Sequence, residues 1–176
     1  MLQAWTIWHY KNDKSLSWGE NQEAVGTVAT VEEFWQLHQL LLPPSALPAG
    51  ADYAMFRAGV RPDWEHPSNA GGGRWLARRE HQQVDAAWLH LLFFLVGEHA
   101  GELAGHITGA VVNVRRKGDK VGVWVRDATN LTAVVEVGRK VRGLLTSNTD
   151  DKIQFSIHKE EREREVGRER PLPILL

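Results

Sequence analysis

The sequence predicts an α+β fold, a mainly antiparallel β-sheet with helices packed on one face. Three observations carry that reading. Short runs rich in β-branched and aromatic residues recur along the chain, three longer runs carry apolar residues at helical spacing, and strands separate each helical run from the next. With 176 residues, 43% hydrophobic and 24% charged, the chain is long enough to bury a core of its own. Residues 1–176 are therefore expected to form a single domain, with 159–176 as a charged, mobile loop and tail.

Ala4 to Tyr10 alternates around Trp5, Ile7 and Trp8 and predicts a strand. The polar run KNDKSLSWGENQ that follows predicts a loop, which leaves Trp18 outside any periodic core pattern. Glu23 to Ala29 predicts a second strand. Thr30 and Glu33 then form a capping box, in which hydroxyl and carboxylate satisfy otherwise orphaned backbone N–H groups, and open a helix through about Leu41. Pro43 and Pro44 end it. Phe34, Leu37 and Leu41 share a core-facing stripe, whereas Val31 and Trp35 form an i, i+4 pair on its flank. That second stripe either widens the core face or anchors a partner helix.

Asp52 to Ala58 predicts a strand, and another starts near Arg74. Between them lies RPDWEHPSNAGGGRW, whose prolines and glycines exclude a helix or a central strand and put Trp64 and Glu65 on a loop. A tryptophan on a polar loop is either a plug over the core or an aromatic plate, and a carboxylate beside a plate suits a flat cationic ligand. The glycines are expected to let the chain turn into the strand bearing Arg74. Val84 to Glu98 predicts the second helix, with Trp88, Leu92 and Leu95 on one side and Leu89, Phe93 and Gly97 on another. A helix apolar on two sides is buried on both or carries a binding site on one.

Ile107 to Arg115 and Lys120 to Val125 flank RKGD and predict a hairpin with a four-residue loop. Pairing Arg115 with Lys120 sets Asn113 against Gly122 and Val111 against Trp124, all on one face, because strand side chains alternate with period two. The two cations are either a solvated tip or, with Trp124 and the space left by Gly122, the end of a site for a flat ligand with an anionic tail. Asn130 caps a third helix, Leu131 to Leu145, and Ile153 to His158 predicts a closing strand.

The totals narrow the function. A net charge of −1 gives no global field for nucleic acid, so any polyanion site must be built locally. There is no cysteine, hence no thiolate metal site or cysteine nucleophile. No apolar run has the length of a membrane span, and the N-terminus lacks a signal-peptide pattern, so a cytosolic location without membrane partners is expected. Neither GxxxxGK[ST] nor a strand-borne GxGxxG occurs, the histidines show no HExxH or short paired spacing for a metal, and Glu65 has no evident carboxylate partner for acid–base work. An enzyme is disfavoured, and no cofactor or metal is expected. Eight tryptophans is the anomalous count. Trp18, Trp64, Glu65, Arg115, Lys120 and Trp124 form a set suited to binding rather than reaction.

These stretches occur together in a known order. WxxW, KNDKSxSW, TVEEFW, DYxxF, RPxWE, GGRW, WLxxLxxLxGE, GAVVNVRxKGDKxxxW and IxxxxH, from Trp5 to His158, resemble the eukaryotic translation initiation factor 4E family, the mRNA 5′ cap-binding proteins. The resemblance implies a curved antiparallel sheet of about eight strands, three helices on its convex face and the cap slot on the concave face. By position, Trp18 and Trp64 look like the plates that sandwich 7-methylguanine. A methylated, cationic ring between two electron-rich faces gains roughly 2 kcal/mol or more when desolvated, above roughly 1–3 kcal/mol of stacking. Glu65 would accept the guanine N1–H and N2–H, Trp124 resembles the residue touching the N7-methyl group, and Arg115, Lys120 and Arg74 look like phosphate contacts. Arg162 and Arg164 of the divergent tail could reach phosphate as well. Val31, Trp35, Leu89, Phe93 and Gly97 fit the surface that receives the YxxxxLΦ helix (Φ, a hydrophobic residue) of a 4G-type scaffold or a 4E-binding repressor, with the protein acting as a monomer.

The sequence departs from the family pattern in several places. His66 replaces the aspartate of a common WED, and His90 and Phe93 replace a Glu and a Leu of the partner-binding helix. Met1 lies four residues before Trp5, so the N-terminal extension with its His–Pro–Leu segment is absent from this sequence. The leading expectation is a cap-binding protein that recruits scaffold for translation initiation. A repressor-type paralogue with a different partner and, from another class, an aromatic-lined carbohydrate-binding module stand as alternatives.

Overall fold

The tryptophans divide the molecule into its working surfaces. In the computed structural model, which describes residues 3–145, 152–159 and 174–176, Trp5, Trp75 and Trp88 are buried in the main core. Trp8, Trp18, Trp64 and Trp124 line a cleft on the other side of the sheet, and Trp35 stands on the helical surface. Eight strands build this sheet: β1 (Trp5–Tyr10), β2 (Gln22–Val28), β3 (Asp52–Arg57), β4 (Gly73–Arg79), β5 (Ile107–Asn113), β6 (Asp119–Val125), β7 (Ile153–Ile157) and β8 (Ile174–Leu175). Their order is β2-β1-β3-β5-β6-β4-β7-β8, and every adjacent pair is antiparallel.

The α-helices whose bounds lie among the described residues are α1 (Trp18–Asn21), α2 (Val31–His38), α3 (Val84–Val96) and α4 (Leu131–Leu145). The capping box forms as the sequence predicts, with the Thr30 hydroxyl accepting from Glu33 N and the Glu33 carboxylate accepting from Thr30 N. Asn130 Oδ1 accepts from Ala133 N at 3.1 Å and caps α4. Phe34, Val84, Leu91, Leu92, Val134, Val137 and Val141 pack onto Ile7, Met55, Trp75, Val121 and Val123 of the sheet. This is one apolar layer between helices and sheet. No described helix is long and apolar enough to cross a membrane.

Several expectations need correction. The hairpin pairs Asn113 with Lys120, Val111 with Gly122 and Gly109 with Trp124, two residues away from the predicted register. Val114 is drawn off to Ala51 and Gly50, and the buried Asp119 carboxylate accepts Arg115 N at 2.8 Å, so Arg115 belongs to the loop. Gly118, at φ 108, closes that loop. A slip of two preserves side-chain parity, so the predicted common face survives. The helix opened by Thr30 ends at His38 rather than Leu41, and Trp18 begins a short helix, capped by Ser17, rather than sitting in open loop. None of Gly71, Gly72 and Gly73 has a positive φ; a Cβ on Gly72 would lie 2.0 Å from Val125 O, so close packing against β6 is the requirement there, not a turn. The expected mobile tail ends in β8, paired with β7, while Arg162 and Arg164 lie outside the described residues.

Candidate functional site

The sheet face opposite the helices is organised in rows. Across the strands, one row reads Thr6, Phe56, Gly109, Trp124, Arg74 and Ser156, and the next Trp8, Ala54, Val111, Gly122, Leu76 and Gln154. A third reads Tyr10, Asp52, Asn113, Lys120 and Arg78. Thus an aromatic row and a charged row flank a row whose centre is Ala54, Val111 and Gly122. Gly122 is obligatory, because a Cβ there would lie 1.8 Å from Trp75 O. The small residues leave room above the sheet for a cleft of about 680 Å³.

Two loops wall this cleft, and each hangs on a buried asparagine. Asn21 Nδ2 donates to the carbonyls of Asp13, Leu16 and Ser17, while its Oδ1 accepts Asp13 N, fixing the turn that presents Trp18. Asn69 Nδ2 donates to Arg61 O at 3.0 Å and Asp63 O at 2.8 Å, gathering the Trp64–Glu65 loop around itself. Gln22 Nε2 donates to Pro62 O at 3.1 Å and joins the two walls. Trp18 is 50% exposed, as a side chain held open at the rim would be.

Trp18, Trp64, Glu65, Arg74, Arg115, Lys120 and Trp124 all line this one cleft, though they come from four separate stretches of sequence. Trp124 is a fixed wall rather than an open plate: it is 7% exposed, with Phe56 edge-on at 5.2 Å and His158 at 4.1 Å. The Arg74 guanidinium lies 6.0 Å from the Trp124 ring centroid. Arg115 is engaged by Asp52 through both carboxylate oxygens. That pairing raises the Arg115 pKa, whereas burial pushes the Asp52 carboxyl up against the pull of the guanidinium. Burial, and then the charge of Arg74, push the His158 imidazole down to about 3, so it is neutral beside Trp124.

Trp8, Tyr10, Asp52 and His158 line the cleft without having been assigned to it from the sequence, and the two asparagines support it from outside. The even parity of Trp8 against Trp5 and Ile7 was the available signal for the first of these. Nothing in the sequence marks the asparagines, because Asn in a polar or Pro- and Gly-rich loop reads as an ordinary turn former.

On the helical side, Val31, Trp35 and Phe93 are 42%, 37% and 37% exposed, and the Trp35 and Phe93 rings meet at 5.5 Å. Leu89 is half-buried and Gly97 caps the end of α3. The second stripe of α2 is therefore surface, adjoining the second apolar side of α3.

A family model described as eukaryotic initiation factor 4E matches residues 1–171. The chain belongs to the eukaryotic initiation factor 4E family. Among initiation factor 4E relatives, Drosophila melanogaster eukaryotic translation initiation factor 4E1 is 37% identical over 163 residues, covering 91% of this chain. The chain spans 62% of the length of that relative. Ascaris suum eIF4E-3, solved in complex with the m2,2,7G cap, is 34% identical with a TM-score of 0.91, covering 99% of this chain and 96% of that one. The Caenorhabditis elegans eIF4E-3, solved with the 4E-binding protein Mextli and a cap analog, is 34% identical with a TM-score of 0.90, covering 98% and 96%. The curved eight-stranded sheet with helices on one face is thus the initiation factor 4E fold. The carbohydrate-module alternative is left without support.

Proposed function

We propose that residues 1–176 form one cap-binding domain that holds the 7-methylguanosine 5′ cap of mRNA and recruits a 4G-type scaffold in translation initiation, without catalysing a reaction. The observation that carries this is the convergence of an exposed Trp18, a half-buried Trp64, a carboxylate and three cations on a single cleft. Trp18 and Trp64 sandwich the base. Glu65, exposed beside Trp64, accepts the guanine N–H groups, and Trp124 bounds the side where the methyl group lies. Lys120 and Arg74 hold phosphate oxygens. Arg115, with its fork largely committed to Asp52, contributes its remaining N–H groups to the same end. Val31, Trp35, Leu89, Phe93 and Gly97 receive a YxxxxLΦ helix on the opposite side. The relatives solved with a cap analog and a 4E-binding protein support both halves of the reading. Its location is accordingly the cytoplasm, where initiation on capped mRNA takes place.

Tryptophan fluorescence titrated with 7-methyl-GTP and with GTP tests the cap half. Losing the ring charge removes about 2 kcal/mol, so 7-methyl-GTP should quench at roughly 30-fold lower concentration. Equal quenching by both nucleotides, or none by either, would sink the proposal.

A further inference from the structure

Across the sheet from the cleft, a second cavity of about 250 Å³ opens at the end of α3. Strand alternation puts Trp5 and its cross-strand partner Arg57 on the helical face, away from Thr6 and Phe56 on the cleft face. Trp5, Leu95, Ala100, Ala104 and Ile107 give the cavity apolar walls, and at ~30 Å³ for each water-sized group it has room for roughly eight of them. The cation in this lining is Arg57, which is half-buried. Its Nε donates to the Ile107 carbonyl at 2.7 Å, and its two terminal nitrogens donate to Gln3 Oε1 and to the Ala104 carbonyl. The guanidinium lies 5.9 Å from the Trp5 ring centroid. All of these partners are neutral, and no described carboxylate pairs with Arg57. Burial first, and then the charge of Arg126, lower its pKa. A cation drawn out of water without a counter-charge is costly, and an anion accepting the N–H groups left over would offset that cost. Glu98, exposed in the same lining, repels a second negative charge, which favours a single carboxylate over a phosphate.

We propose that this cavity binds a small aliphatic monocarboxylic acid, with its carboxylate on Arg57 and its hydrocarbon chain against Trp5, Leu95 and Ile107. The site shares no residue with the cleft and stands whether or not the cleft holds a cap.

The probe is hexanoate, titrated into the isotope-labelled chain and followed by the shifts of amide and indole N–H signals, with n-hexanol as its uncharged counterpart. Shifts should centre on Trp5, Ala100, Ala104 and Ile107 and saturate at millimolar hexanoate. Hexanol, which forms no charge-assisted bond to Arg57, should bind about tenfold more weakly. Ala104→Leu, which fills the cavity, should abolish the shifts, and Arg57→Gln should bind hexanoate no better than hexanol. Arg57 also ties Gln3, Ala104 and Ile107 together, so if Arg57→Gln does not fold, the comparison of acid with alcohol in wild type decides. The proposal is overturned by the absence of saturable shifts with hexanoate, by equal affinity of wild type for acid and alcohol, by shifts centred on Trp18 and Trp64, or by unchanged binding in Ala104→Leu.

Discussion

Asn69 is fully buried, yet its importance lies in a loop rather than in the core. Its amide bridges two main-chain carbonyls, Arg61 and Asp63, on the approach to Trp64. Removing the shared partner of these two part-buried carbonyls costs about 1–3 kcal/mol in all. In Asn69→Ala that cost should fall on the order of the plate, weakening 7-methyl-GTP by roughly 5- to 150-fold while leaving a YxxxxLΦ peptide bound on the helical side as before. Equal losses of both ligands would show that Asn69 supports the whole core. At this scale the sequence was partly readable. Trp64 and Glu65 stand out because prolines and glycines exclude them from regular structure, whereas Asn69 belongs to the same composition and has no distinguishing mark.

At the scale of elements, strand parity was the strongest sequence signal. The hairpin register is wrong by two residues, but Trp124 and Lys120 share a face under either register. What periodicity could not show were elements too short to display a period: the four-residue α1, and β8, whose two residues take their place from pairing with β7. Helix faces were legible as stripes without an assigned use. The pair of α2 and α3 now gives one, since Trp35 meets Phe93 on the surface while Phe34 fills the core below. Trp35→Ala should abolish binding of a YxxxxLΦ peptide in a pull-down or calorimetric assay and leave 7-methyl-GTP quenching intact. Loss of both would mean that Trp35 holds α2 in place instead of meeting a partner.

For the molecule as a whole, the titration of two histidines works in opposite senses. His158 has a folded pKa of about 3 against 6.5 unfolded, so the stability tied to its neutral form is complete above 6.5 and drains as pH falls toward 3. Between pH 7 and pH 5 this residue alone should remove about 2 kcal/mol. His81, raised by its hydrogen bond to Asp119, contributes stability present below 6.5 and lost as pH rises through its folded value. Burial lowers His9 and His38, which therefore act in the same sense as His158. Denaturant midpoints at pH 7 and pH 5 should differ less in His158→Gln than in wild type. An identical acid loss in both would assign it to other groups.

Lys120 and Trp124 are four residues apart on one continuous strand, and a strand advances about 3.3 Å per residue. The charged row is thus held about 13 Å from the aromatic one by covalent geometry, with no loop whose breathing could change the interval. Gly122 protects the spacing from the side, because any larger residue would push β6 off β4. The sheet therefore acts as a gauge of ligand length. A base whose anionic tail is too short cannot touch both rows together, and the fold itself, more than any single contact, sets how much chain a ligand must carry.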